Sequence, residues 1–105
     1  MNYEFIPKIK KYIASLIPES IDNFYITGYA TLMDCIGEHL RIELSARRAI
    51  SGESLNTVYR IPIIKEFAES NEYQEMIFEE AKRKVNEMMI SILIFCNNER
   101  KKESP

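Results

Sequence analysis

Between residues 23 and 63 the sequence alternates, and this alternation limits what the chain can become. Phe24, Ile26, Gly28, Ala30 and Leu32 are interleaved with Tyr25, Thr27, Tyr29, Thr31 and Met33. Leu40, Ile42, Leu44 and Ala46 are interleaved with Arg41, Glu43, Ser45 and Arg47, and Leu55, Thr57, Tyr59 and Ile61 with Asn56, Val58 and Arg60. A period of two places alternate side chains on opposite faces of a strand, and β-branched and aromatic residues favour such a surface. Three strands are therefore expected. A long helical stripe through Phe24, Met33, Ile36 and Leu40 is the competing pattern, and it would make the chain an all-α bundle.

Glycines fall where the ribbon must turn. Asp34-Cys35-Ile36-Gly37 suits a type I turn with Gly37 left-handed, closing a three-residue hairpin, and Ser51-Gly52-Glu53-Ser54 suits a type II′ turn. Folding about Gly52-Glu53 pairs Ile50 with Leu55, Ala46 with Tyr59 and Leu44 with Ile61, all on one face. Pro62 lacks a ladder donor and should end the pairing.

Helices are expected on either side. Ile6, Ile9, Ile13, Leu16 and Ile17 fall at helical spacing over residues 6–17, with Pro7 in the first turn and Pro18 beyond the end. After Pro62 the pattern is helical again, with Asn71 as a break and N-cap and Gln74 three residues later. Tyr73, Ile77, Ala81, Val85, Met88, Ile92 and Cys96 then form one stripe, and it carries Ile90 to Phe95 as helix despite their strand propensity. Glu79–Arg83 and Glu80–Lys84 are i,i+4 pairs in the favourable order, each contributing about 0.3–0.5 kcal/mol. The expected fold is α+β, an N-terminal helix, a three-stranded antiparallel meander and one or two C-terminal helices (α-β-β-β-α-α), with residues 1–97 as one domain and 98–105 as a flexible charged tail.

With 105 residues, 46% of them apolar and 29% charged, the chain can bury one core, and its net charge of −2 implies no partner by itself. Cys35 and Cys96 stand far apart, in no metal-like or disulfide-framework spacing, which suits reduced thiols in the cytoplasm. No secretion signal is recognisable at the start. The longest apolar run, Met88 to Cys96, falls far short of the ~20 residues that cross a bilayer.

Four groups of residues invite a functional reading. If the register holds, the second sheet face displays Tyr25, Tyr29, Arg41, Arg47 and Arg60, a surface for single-stranded nucleic acid or a partner protein. A solvated face is the competing reading, and Glu43 in its middle favours it. Asp34, Cys35, Glu38 and His39 gather near the first turn, yet one Cys and one His are too few for a zinc site and read better as a polar turn. The glutamates from Glu66 to Glu80 spread around a helix, as on a solvated face. Met88, Met89, Ile92, Leu93 and Phe95 are too apolar for one helix face, which points to a homodimer interface.

No phosphate loop, nucleophile triad or zinc spacing is present, so neither a cofactor nor catalysis is expected. Helix, three antiparallel strands and helix is similar to the order in double-stranded-RNA-binding domains. Where those domains place a lysine cluster, this chain has Glu66 and Glu69 with Lys65 alone, and Lys82-Arg83-Lys84 comes too late, so the similarity is topological. The sequence is therefore read as a non-enzymatic interaction or regulatory module, homodimeric through its C-terminal helix. A nucleic-acid binder using the Tyr/Arg face is the alternative.

Overall fold

The computed structural model describes residues 3–103. Helix α1 (Phe5–Leu16) leads into strands β1 (Ser20–Ile21), β2 (Phe24–Met33), β3 (His39–Arg48) and β4 (Ser54–Pro62), and helix α2 (Asn71–Glu103) closes the chain. The strands form one antiparallel meander in sequence order. The fold is α+β, with four strands where three were expected. The additional strand, β1, pairs Ser20 with Tyr25 and Ile21 with Phe24 across the turn at Asp22-Asn23. Asp22 takes φ 53°, a left-handed conformation that short polar side chains tolerate.

Both helices lie on one face of the sheet, because only one face of each strand is apolar. Phe24, Ile26 and Ala30 of β2, Leu40, Ile42, Leu44 and Ala46 of β3, and Ile61 of β4 are buried there. From α1 they meet Phe5, Ile9 and Ile13, and from α2 Ile77, Ala81, Val85, Met88, Met89, Ile92 and Cys96. Gly28 marks the closest approach of α1 to the sheet. A Cβ at that position would stand 2.7 Å from Ile13 Cγ2 and 2.7 Å from Ile17 Cδ1.

Both hairpins turn at the expected glycines, through longer loops. Met33 pairs with His39, so Asp34–Glu38 form the first loop, with Gly37 at φ 88°. In the second, Arg48 N–H donates to Glu53 O at 2.7 Å and Gly52 N–H to Arg48 O at 3.0 Å, which leaves Ala49–Gly52 as a four-residue loop with Gly52 at φ 76°. Ala46 therefore faces Leu55 and Leu44 faces Thr57, where Tyr59 and Ile61 were expected, and Ile50 projects into solvent. The slip is an even number of residues, so every side chain keeps its face.

The C-terminal third is one helix of 33 residues, about 50 Å long at 1.5 Å per residue. Ile90 to Phe95 are helical, and residues 98–103, expected as a flexible tail, continue the helix. Burial of Glu99 and the ion pair of Arg100 with Asp22 at 2.6 Å hold that end against the sheet. At the other end Ser70, not Asn71, is the cap: its hydroxyl accepts from Tyr73 N–H at 3.3 Å, while the Gln74 side chain turns back to Ala68 O. The expected Glu79–Arg83 and Glu80–Lys84 pairs are replaced by Glu79–Lys82 and Glu80–Arg83 one residue closer, with Arg83 also reaching Glu87 at 2.7 Å. Among the described residues, no helix is long and apolar enough to cross a membrane.

Candidate functional site: the open face of the sheet

The face of the sheet opposite the helices is built in rows, because antiparallel pairing sets residues of three strands side by side. Tyr25, Arg47 and Ser54 form one row, then Thr27, Ser45 and Asn56, then Tyr29, Glu43 and Val58, then Thr31, Arg41 and Arg60. Met33, His39 and Pro62 close it at the end near the first loop. Both helices pack on the other side, so neither covers the rows from Tyr25 to Arg60, whereas His39 at the loop end is buried. Tyr25 and Tyr29 expose 55% and 57% of their surface, enough for each ring to meet a ligand.

All five residues singled out on this face, Tyr25, Tyr29, Arg41, Arg47 and Arg60, therefore share it. Their electrostatics are uneven. Arg41 Nη2 lies 3.0 Å from Glu43 Oε2, an in-strand ion pair two residues apart. Arg60 stands directly across from Arg41, and like charges so placed repel. Neither Arg47 nor Arg60 has a carboxylate partner among the described residues. The face has three guanidinium groups, one carboxylate and no lysine. Ser45 Oγ donates to Asn56 Oδ1 at 2.5 Å in the second row.

The residues near the first loop do not converge. His39 is buried, with Nδ1 2.9 Å from Gly37 O, and Cys35 is exposed. Glu38 accepts a short hydrogen bond from the Tyr3 hydroxyl, which ties the start of α1 to the loop. Burial first, and then this bond, push the Tyr3 pKa up to about 12. Among the described residues no three His, Cys, Asp or Glu side chains are grouped to hold a metal ion. Burial pushes the Cys96 thiol up as well, away from the reactive thiolate.

The interface expected on α2 is largely internal. Met88, Met89 and Ile92 are buried in the protomer's own core, and Phe95 packs edge-on against Phe24 with ring centroids 5.9 Å apart. Only Leu93 of the five is exposed, beside Ile90 and Ile94. The helix is apolar over a wide arc because α1 and the sheet embrace it from two sides.

A charged cluster at the far end of α2 escaped the sequence reading. Glu99 is buried, with Oε2 3.6 Å from Arg48 Nη1, beyond hydrogen-bond reach. Its carboxyl also meets Glu53 from the second hairpin loop and Lys102. A hydrogen bond with Glu99 pushes the Glu53 pKa up, and bonds with Glu53 and Lys102 hold Glu99 down. The signal in the sequence was a glutamate in phase with the buried stripe one turn past Cys96.

Comparison with known proteins gives no matching family model, no similar curated protein and no similar solved structure.

Proposed function

We propose that this protein is a non-enzymatic interaction module and that a partner protein docks on the open face of its sheet. The observation that carries the reading is the placement of Tyr25, Tyr29, Arg41, Arg47 and Arg60 in three of four successive rows of the sheet face away from the helices. Protein interfaces favour Tyr and Arg and disfavour Lys, because rigid rings and planar guanidinium groups bury area at low entropic cost. This face has that bias, with every cation an arginine. Glu43 among them gives a partner both signs of charge to match.

The test is gentle purification of the whole chain, followed by the variant Tyr29→Ala/Arg60→Ala. A stoichiometric protein that accompanies the wild type and is lost from the variant supports the reading. A partner held equally by both moves docking to another surface.

A second reading rests on one specific pair. Arg47 lies beside Tyr25 across the β2–β3 ladder and has no carboxylate partner among the described residues, so a phosphate and a stacked base fit the pair together. Single-stranded nucleic acid would then bind with log affinity falling linearly in log salt. Binding of a labelled oligonucleotide at low salt should disappear when Arg41, Arg47 and Arg60 are all replaced by Ala. No binding by the wild type at low salt eliminates this reading.

A further inference from the structure

The edge of β2 carries the second surface. β1 pairs with only Phe24 and Tyr25, and Ile26 N–H reaches the chain just before β1, donating to Glu19 O at 3.1 Å. Backbone groups alternate in direction along a strand, so those of Gly28, Ala30 and Leu32 point outward like that of Ile26. No chain among the described residues pairs with them. The opposite edge, on β4, directs Asn56, Val58 and Arg60 outward and ends at Pro62, which has no N–H to offer. β2 has none of the usual protection: from Phe24 to Met33 it holds no charge, no proline and an unbroken register with β3.

We propose that this edge pairs antiparallel with β2 of a second copy about a two-fold axis at Ala30, joining two four-stranded sheets into one. Gly28 then faces Leu32 of the second copy, and each outward N–H of one chain meets an outward C=O of the other. The stagger fits the chain path. The second copy's strand ends at Met33 and turns into its loop before it reaches the position held by β1. Side-chain volume fits as well. A groove of about 560 Å³ runs along this edge, lined by Lys10, Ile13, Ala14 and Ile17 of the helical side and by Gly28 and Ala30 of the strand. The incoming side chains on that side would be Gly28, Ala30 and Leu32, two of them the smallest available. No charge faces a like charge along the strands themselves. Lys10 and Glu19 both line the groove, so charges of either sign stand at its exposed rim, where salt screens them. Added salt weakens nucleic-acid binding and leaves backbone pairing largely unchanged, which separates the two. The pairing also uses a surface distinct from the open face, and one can fail without the other.

The experiment combines light scattering over a concentration series with amide exchange by NMR. At high concentration the mass should be that of a dimer, and the Gly28, Ala30 and Leu32 amides should slow on the order of tenfold or more relative to dilute protein. The Thr27, Tyr29 and Thr31 amides, which face β3, should be slow at both concentrations. Leu32→Pro removes one outward N–H without touching the β2–β3 ladder and should run as a folded monomer. Leu32→Lys keeps every backbone donor and sets a charge that pairing would bury; it should also be monomeric, and it carries the test if the proline variant misfolds. A monomer at millimolar concentration overturns the proposal. So does a dimer whose Gly28, Ala30 and Leu32 amides exchange freely, which would move the contact to Ile90, Leu93 and Ile94.

Discussion

The two faces of the sheet come from the same three long strands and obey opposite rules. On the helical face Leu40, Ile42, Leu44 and Ala46 are fully buried, Gly28 is kept bare by the approach of α1, and volume decides what is tolerated. On the open face Tyr25, Tyr29, Arg47 and Arg60 stand in water, and volume matters far less there. Position along a strand therefore says little about the cost of a substitution, whereas its parity says a great deal.

This contrast can be attacked first where it is strongest. Leu44→Ala removes a fully buried side chain from the central strand and should cost about 2–5 kcal/mol in urea unfolding. A loss near zero would mean that the helices do not pack on this face. Gly28→Val overfills the α1 contact and should cost about 1–3 kcal/mol, read as a lower unfolding midpoint at unchanged m-value.

The charged end of the helical face should respond to pH. Folding raises the Glu53 pKa above its ordinary 4.5, so its contribution is full in acid and fades as pH rises through the raised value. Folding lowers that of Glu99, so its contribution is present above 4.5 and is lost as pH falls through the lowered value. The last turns of α2 are thus held best in the window between the two. Thermal melts should show the wild type losing stability as pH rises past Glu53's titration, and Glu53→Gln, which donates at every pH, should flatten that slope. A parallel slope in both proteins would remove Glu53 from the account.

The smallest effects belong to the open face. Tyr29→Ala should change stability by no more than about 0.5 kcal/mol. Arg60→Thr relieves the Arg41–Arg60 repulsion and should be neutral or stabilising by a few tenths of a kcal/mol. A loss above about 1 kcal/mol from either would mean that this face is structural.

Parity was legible in the sequence because it depends only on the alternation of side chains, and it placed Tyr25, Tyr29, Arg41, Arg47 and Arg60 together. Loop length was not. A two-residue turn at Gly52-Glu53 and the observed four-residue loop both place Gly52 left-handed, and the choice is made by long-range bonds such as Ala49 N–H to Asn23 O at 2.8 Å. β1 is too short for any period, although Asp22-Asn23 is the dipeptide of a tight turn. Met88, Met89 and Ile92 looked like an interface because a one-dimensional pattern shows how apolar a helix is, without showing how many neighbours surround it. The same gap hid the Glu53–Glu99 contact, whose partners lie on separate elements.

The reach of α2 has a consequence for synthesis. Its later turns bring Phe95 onto Phe24 and Arg100 onto Asp22, so the segment that shields the second strand leaves the ribosome only after the whole sheet has emerged. Until then the nascent meander holds a greasy face and an uncharged border open to neighbouring polypeptides, and chaperone demand should peak in that interval.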